Sequence, residues 1–293
     1  MNSTAPFFPG YGIGSCILYE DHRFLVIDKP ANLLIHPTGP GRPDTLWDEL
    51  KRFLAFEIVN GSAISFINRL DRETSGLVLV AKTGEAARQL GLRIAQHRIL
   101  KTYTAIVFGS PSEATFVVDQ PLLRQGTVRT TKIWLKQAVH PDGSPALTSF
   151  RVLDRFALRG RPFALIEAEP KTGRTHQIRV HLAHAGYPIV GDKIYGPDEN
   201  SYLEFIESDW TPALEAKLLL PRQALHASRL SFELEGTTFS FEAPLPPDLQ
   251  DFLVPQKFAL NSGDALAQTR IMERNRQKAG RPGTVLPGAP GSR

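Results

Sequence analysis

The sequence predicts an α+β chain built on one long, mainly antiparallel sheet. Two observations predict it. Short apolar runs of strand length recur along the chain, while the helical patterns between them do not alternate regularly as a doubly wound fold requires. Near the end, Leu230 to Leu234 and Thr238 to Phe241 are split by Glu235-Gly236, a hairpin pattern.

Taken in order, residues 1–15 are rich in Pro, Gly and small polar residues and read as a loose arm. Phe24 to Ile27 is a strand ended by Lys29-Pro30. His36-Pro37-Thr38-Gly39-Pro40-Gly41 is a loop. Leu46, Leu50, Phe53 and Leu54 have helical spacing over Thr45 to Phe56, and Asp44 or Thr45 caps that helix. Leu77 to Ala81 reads as a strand. Gly84 to Ile99 reads as an amphipathic helix, with Leu90 and Ile94 inward and Arg88, Arg93 and Arg98 outward. Tyr103 to Phe108 is a strand. Thr127 to Ala138 is polar and basic and is read as extended strands, with His140-Pro141-Asp142-Gly143 as a hairpin-type turn. Ser149 to Leu153 and Phe163 to Ala168 are further strands, and Gln177 to Ala185 is a short helix stopped by Gly186. Residues 259–293 have the composition of a basic, disordered tail, which leaves 16–258 as one folded domain.

Composition narrows the classes. No apolar run approaches the roughly 20 residues that cross a bilayer, and Met1 to Gly14 lacks the basic start and apolar core of a secretory signal. The single cysteine, Cys16, excludes an internal disulfide and a cysteine-based zinc site, so a reducing cytoplasm is the expected setting. The net charge is +4, and the residues from Asn261 onward carry all of it, with six basic and two acidic side chains. Within the neutral remainder, Pro121 to Val180 holds eleven basic and four acidic residues. One basic stretch on a neutral body suits a polyanion binder, although a charge run is also what an ordinary solvated surface carries.

The run Asn68-Arg69-Leu70-Asp71-Arg72-Glu73-Thr74-Ser75-Gly76 sets one carboxylate between two arginines just before an apolar strand. A short carboxylate beside guanidinium groups stays ionised and suits a nucleophile. The same residues also suit a local turn between Asp71 and Thr74. Two other segments bear on the choice. One is Lys101-Thr102-Tyr103-Thr104-Ala105-Ile106-Val107. The other is Gly173-Arg174-Thr175-His176-Gln177-Ile178-Arg179-Val180-His181-Leu182-Ala183-His184-Ala185-Gly186, continuing to Gly191-Asp192-Lys193-Ile194-Tyr195-Gly196.

Together and in this order these segments resemble the signature of the RNA pseudouridine synthases, in the ribosomal large-subunit branch that lacks an N-terminal S4 domain. The resemblance runs from about Ile17 to Phe252. It includes Phe24-Leu25-Val26-Ile27-Asp28-Lys29-Pro30 and Gln223-Ala224-Leu225-His226-Ala227. It implies the pseudouridine synthase fold, a long mixed sheet around a central RNA-binding cleft. It also implies isomerisation of uridine to pseudouridine in ribosomal or transfer RNA, with base flipping and without metal, redox cofactor or nucleotide.

By the same resemblance Asp71 is the essential aspartate, Arg179 pairs with it, Tyr103 stacks on the uracil and Ile178 packs on the opposite face. Arg69 takes the flipped nucleotide's place in the helix. Lys101, Arg174 and Arg72 are read as phosphate contacts, and Thr74 and His176 as further substrate contacts. Asn68 departs from the pattern, because the family usually has histidine there; Asn holds loops by side-chain-to-backbone bonds.

Two other readings compete. His176, His181 and His184 suggest a metal site, but no H-E-x-x-H motif or cysteine pair accompanies them, which favours structural roles. An RNA-binding or RNA-folding module on the same fold would keep the basic surface and tolerate loss of Asp71. RNA is the expected partner on either reading of the fold, with no membrane and no obligatory protein partner.

Overall fold

The computed structural model describes residues 12–37, 39, 44–198 and 200–253. The expected tail at 259–293 and most of the expected arm lie outside the described residues, as do five positions of the His36–Pro43 neighbourhood and Glu199. The chain divides into two compact units, Met1–Leu249 and Gln250–Arg293, and every element below belongs to the first.

In chain order the strands are β1 (Ile17–Glu20), β2 (Phe24–Lys29), β3 (Ser65–Phe66), β4 (Ser75–Ala81), β5 (Leu100–Phe108), β6 (Thr115–Asp119), β7 (Leu122–Arg124), β8 (Gln137–Val139), β9 (Leu147–Leu158), β10 (Arg161–Pro170), β11 (Leu225–Leu234) and β12 (Thr237–Glu242). The helices are α1 (Leu46–Phe53), α2 (Ala55–Val59), α3 (Gly84–Ala95), α4 (Gln177–His184), α5 (Ser201–Ser208) and α6 (Pro212–Leu218). Ten strands form one sheet in the order β1-β2-β4-β11-β5-β10-β9-β6, with β3 added to β4 and β12 to β11. All its pairings are antiparallel except β4 with β11, which is parallel over His226–Ser75 and Ala227–Gly76. The sheet is therefore mixed and mainly antiparallel, and the fold is α+β as the sequence predicts.

The apolar runs become the central strands because both their faces are covered. β4 is buried along its whole length, and Phe24 to Ile27 of β2 beside it are fully buried. Phe24, Val26, Leu77 and Leu79 pack with Leu90 of α3 and with Leu230, Phe232 and Leu234 of β11. Where β4 meets β11 the backbones approach so closely that a Cβ on Gly76 would stand 2.3 Å from the Ala227 carbonyl oxygen. Gly76 also has φ 108°, so only glycine fits.

Local signals account for several boundaries. Thr45 and Asp48 form a capping box on α1. That helix stops at Leu54, which is buried and turned out of helical geometry, and α2 restarts after it. α3 ends at Ala95 rather than Ile99, because His97 takes φ 57° and Ile99 enters the core instead. Glu235 and Gly236 both have positive φ, as a two-residue hairpin turn requires.

The expectation of extended strands over Thr127 to Ala138 is corrected. Only Gln137–Val139 pairs as a strand, and Gln125–Thr127 is a single 3₁₀ turn. The segment between is irregular because Ile133 leaves the surface to pack with Leu122, Val180 and Ile194, while local backbone bonds such as Lys136 N–H to Ile133 O (3.1 Å) close turns around it. The turn at His140–Gly143 does form, with Gly143 N–H donating to His140 O at 2.9 Å.

His226 sits at the parallel junction, 1 % exposed. Its Nδ1 is 3.0 Å from Ser75 Oγ and its Nε2 is 3.2 Å from the Ala243 carbonyl. A carbonyl only accepts, so the ring proton is on Nε2, and burial pushes the pKa down to about 4. A histidine kept neutral in the fold takes its proton first in the unfolded chain. Its contribution is thus complete above the ordinary pKa of 6.5 and is lost as pH falls toward 4, by about 3 kcal/mol. Urea unfolding measured from pH 7 to pH 4.5 is expected to show this decline, and His226→Gln is expected to have a flatter pH dependence than wild type.

Candidate active site

The loop before β4 is fixed by side chains that the sequence places along it. Asn68 Nδ2 donates to Leu77 O at 3.0 Å and its Oδ1 accepts from Leu79 N–H at 2.8 Å, so the amide staples the loop to the strand that follows. The bidentate backbone contact suits an amide, which offers a donor and an acceptor side by side. Glu73 is held by Lys193 Nζ at 2.7 Å, and Thr74 Oγ1 accepts from Gln223 Nε2 at 2.7 Å. A turn between Asp71 and Thr74 exists, but it closes through the backbone, Thr74 N–H to Asp71 O at 3.1 Å. The Asp71 carboxylate is left to point elsewhere.

It points at Arg179. Asp71 Oδ2 accepts from Arg179 Nη1 at 2.8 Å and from Gln223 Nε2 at 3.4 Å. The remaining guanidinium edge is occupied by Asp192, with Nε to Oδ2 at 2.7 Å and Nη2 to Oδ1 at 2.8 Å. Asp192 Oδ1 also accepts from the N–H groups of Ile194 and Tyr195, and the Tyr195 ring lies 5.0 Å from the guanidinium carbon. Arg179 is 4 % exposed and Asp192 fully buried, so these are desolvated charges with matched partners. Burial acts against the charge on Asp71, yet the Arg179 guanidinium beside it and the Gln223 amide hold its carboxyl below the usual carboxylate range. His176 is itself neutral at pH 7, because burial and the Arg179 charge push it down to about 4. Both contacts of Asp71 fall on Oδ2, and among the described residues Oδ1 accepts no hydrogen bond.

These groups line an open cleft of about 630 Å³, of a size that admits a small organic group. Asp71, Tyr103, Ile178 and Arg179 share it with Arg69, Thr74, Lys101, Arg174 and His176. Of the ten candidate site residues only Arg72 is absent from its lining; that side chain is exposed and its Nε donates to Asn32 O at 3.4 Å. Tyr103 is 8 % exposed, and burial with the Asp71 charge raises its pKa, so it stays a phenol. Thr74 is buried and spent on Gln223, which gives it a scaffold role in this structure. Arg69 and Arg174 are exposed at the rim, with Arg174 Nε donating to Pro145 O.

Asp192, Tyr195 and Gln223 belong to the site as well. Their segments stand out in the sequence, but nothing in the motif order gives these three side chains roles. The signal available was the pairing of one buried-type carboxylate, Asp192, with the Gly191 turn that presents it. His181, by contrast, has Nδ1 against Thr148 Oγ1 at 2.9 Å and Nε2 against Gln120 O at 3.0 Å, which commits both ring nitrogens to the fold. Among the described residues no group of three or more His, Cys, Asp or Glu is arranged to hold a metal ion.

Residues 23–184 match the family model described as RNA pseudouridylate synthase. The chain belongs to the RNA pseudouridylate synthase family. It is 37 % identical over 244 residues to the ribosomal large subunit pseudouridine synthase D of Haemophilus ducreyi, covering 81 % of this chain and 69 % of that protein. The protein of the same name from Salmonella typhimurium is 36 % identical with the same coverage. Among solved structures, human RNA pseudouridylate synthase domain containing 4 superimposes with a TM-score of 0.62 at 25 % identity, over 82 % of this chain and 92 % of that one. As a member of this family the protein is an isomerase that converts uridine to pseudouridine in RNA. The matched span contains Asp71, Tyr103 and Arg179.

The ion chain sets a stability prediction. Arg179→Ala leaves Asp71 and Asp192 without a countercharge in a desolvated site, and is expected to cost about 3–5 kcal/mol in urea unfolding at pH 7. Asp71→Asn leaves Arg179 paired with Asp192 and is expected to stay within about 1.5 kcal/mol of wild type.

Proposed function

We propose that the substrate is ribosomal large-subunit RNA and that Asp71 is the nucleophile acting on a flipped uridine. The single observation that carries the catalytic reading is the Asp71 carboxylate held ionised by Arg179 at 2.8 Å, with Oδ1 left open in the cleft. The names of the bacterial relatives support the RNA class. The lone cysteine suits a cytoplasmic setting, and among the described residues no helix is long and apolar enough to cross a membrane.

The reaction breaks the N1–C1′ bond, turns the uracil within the cleft and joins C5 to C1′; the C5 proton is lost at the end, and N1, which left with the pair of the broken bond, takes up one proton, so the product is an isomer. All atoms except that proton stay in the nucleotide, so the protein supplies an anion, a seat for the free base and a proton route. Asp71 provides the anion, attacking either C1′ or C6 or removing a neighbouring proton. Tyr103 offers an aromatic face for the uracil, a contact worth roughly 1–3 kcal/mol. Because its hydroxyl remains a phenol, it serves the C5 proton as a relay rather than as a standing base. Ile178 closes the opposite face. Arg69 at the rim takes the place of the extruded nucleotide, since a planar cation both stacks and binds phosphate.

The basic stretch supports RNA binding only in part. Arg155 is spent on the carbonyls of Pro111, Ser112 and Glu113, and Arg151 and Arg229 flank Glu167. Lys101 and Arg174 at the cleft, and exposed Lys132 beside Trp134, are the better phosphate contacts; Trp134 is 69 % exposed with Arg124 stacked 3.8 Å from its ring centroid.

Release of tritium from RNA labelled at uracil C5 tests the reading, because forming the C5–C1′ bond expels that hydrogen. Unmodified large-subunit RNA is expected to release it with wild type, and Asp71→Asn to be at least about 10³-fold slower while binding RNA within a few-fold of wild type. Wild-type rates in the variant would remove Asp71 from the chemistry. Release from transfer RNA alone would reassign the substrate.

A further inference from the structure

The Tyr195 hydroxyl decides which nitrogen of His176 carries its proton. The backbone N–H of Gln137, at the start of β8, donates to Tyr195 Oη at 2.8 Å. The same oxygen lies 2.8 Å from His176 Nδ1. Tyr195 is 8 % exposed, and Nδ1 is the one acceptor its hydroxyl proton reaches among the described residues. An amide N–H can only donate, so the phenol must place its own proton on Nδ1. Were Nδ1 protonated instead, two donors would converge on Oη and the buried phenolic hydrogen would lack an acceptor, a penalty of about 1–3 kcal/mol.

The neutral imidazole therefore carries its proton on Nε2, and Nε2 faces Asp71 Oδ2 at 3.9 Å. The other tautomer would aim a lone pair at a carboxylate. The ring's place is fixed by the fold as well, because His176 adopts a left-handed backbone, φ 56°, at the start of α4, an unusual conformation that tends to persist where a site needs it. At 3.9 Å the Nε2–H is too far from Asp71 for a hydrogen bond, so it remains available inside the cleft.

We propose that Tyr195 is a positioning residue that fixes His176 as a neutral Nε2–H donor beside Asp71, and that this N–H donates to an oxygen of the seated uridine. The donor role rests on the isomerase reading; the tautomer does not. Arg179 and His176 then divide the work. Arg179 holds the carboxylate by charge, and His176 contacts the nucleotide without adding a second positive charge that would weaken the nucleophile.

The test uses the full chain labelled with ¹⁵N-histidine, without RNA. The imidazole ¹H–¹⁵N spectrum, with His176 assigned by its loss in His176→Gln, is expected to show a protonated Nε2 and an unprotonated Nδ1 from pH 8 to pH 5. A protonated Nδ1, or an imidazolium at pH 7, overturns the assignment. Tyr195→Phe keeps the ring under Arg179 and removes the hydroxyl. It is expected to mix the two tautomers and to lower kcat about tenfold with RNA affinity unchanged. An unaltered tautomer with unaltered kcat overturns the positioning role. If Tyr195→Phe does not fold, two other readouts decide: the wild-type spectrum, and the comparison in which His176→Gln, which keeps a side-chain donor, retains more kcat than His176→Ala. Equal rates in those two variants overturn the donor role. The spectrum is read on free protein, so inactivity toward every RNA tried would sink the isomerase reading and leave the tautomer standing.

Discussion

The guanidinium of Arg179, shared between Asp71 and Asp192, is the constraint on which the site depends. It joins three parts of the chain that are distant in sequence: the loop before β4, the first turn of α4 and the turn after Val190. A buried guanidinium with one carboxylate would be balanced in charge and leave its other edge unsatisfied. With two carboxylates, and with backbone N–H groups on Asp192, nearly every donor and acceptor is met. Such a chain contributes little net stability, because desolvation offsets attraction. Its consequence is geometric and electrostatic: it fixes where Asp71 points and keeps it an anion in a largely desolvated site.

The sheet serves that constraint. Asp71 sits where β4 begins, Gln223 just before β11, and the two strands meet side by side in the sheet's one parallel pairing. Antiparallel neighbours would have carried their entrance loops to opposite ends. The parallel junction brings both loops to the same end, and the missing Cβ of Gly76 lets the backbones close on each other. β5 lies on the other side of β11 and delivers Tyr103 opposite Ala227 and Ala168, small residues that leave room for a ring.

The cleft also shows how charge in a sequence divides between architecture and surface. Arg155 clamps three carbonyls, Arg222 pairs with Asp248, and Arg179 is interior. Composition counts these equally with Lys132 and Arg174, which face outward. A count of basic residues therefore overstates the surface available to a polyanion, and only burial separates the two groups.

Apolar runs, helical spacing and caps were enough to locate β2, β4, α1, α3, α4 and the last hairpin, because those signals are local: a continuous apolar run, a capping residue such as Thr45, a glycine stop. The motif segments likewise carried Asp71, Tyr103 and Arg179 in the chain itself. The path of residues 127–136 was not legible, since it turns on Ile133 finding a pocket under α4 rather than on any preference of its neighbours. Nor was the inward role of Thr74 or the outward turn of Arg72, two residues one apart from Glu73 whose fates depend on Gln223 and Asn32. Residue types and local order by themselves determined the central strands, the helices α1, α3 and α4, and which side chains are chemically able. Tertiary structure alone decided that Asp192 completes the Arg179 pair and that Tyr195 orients His176, because hydrogen-bond partners far apart in sequence meet only when the chain closes on itself.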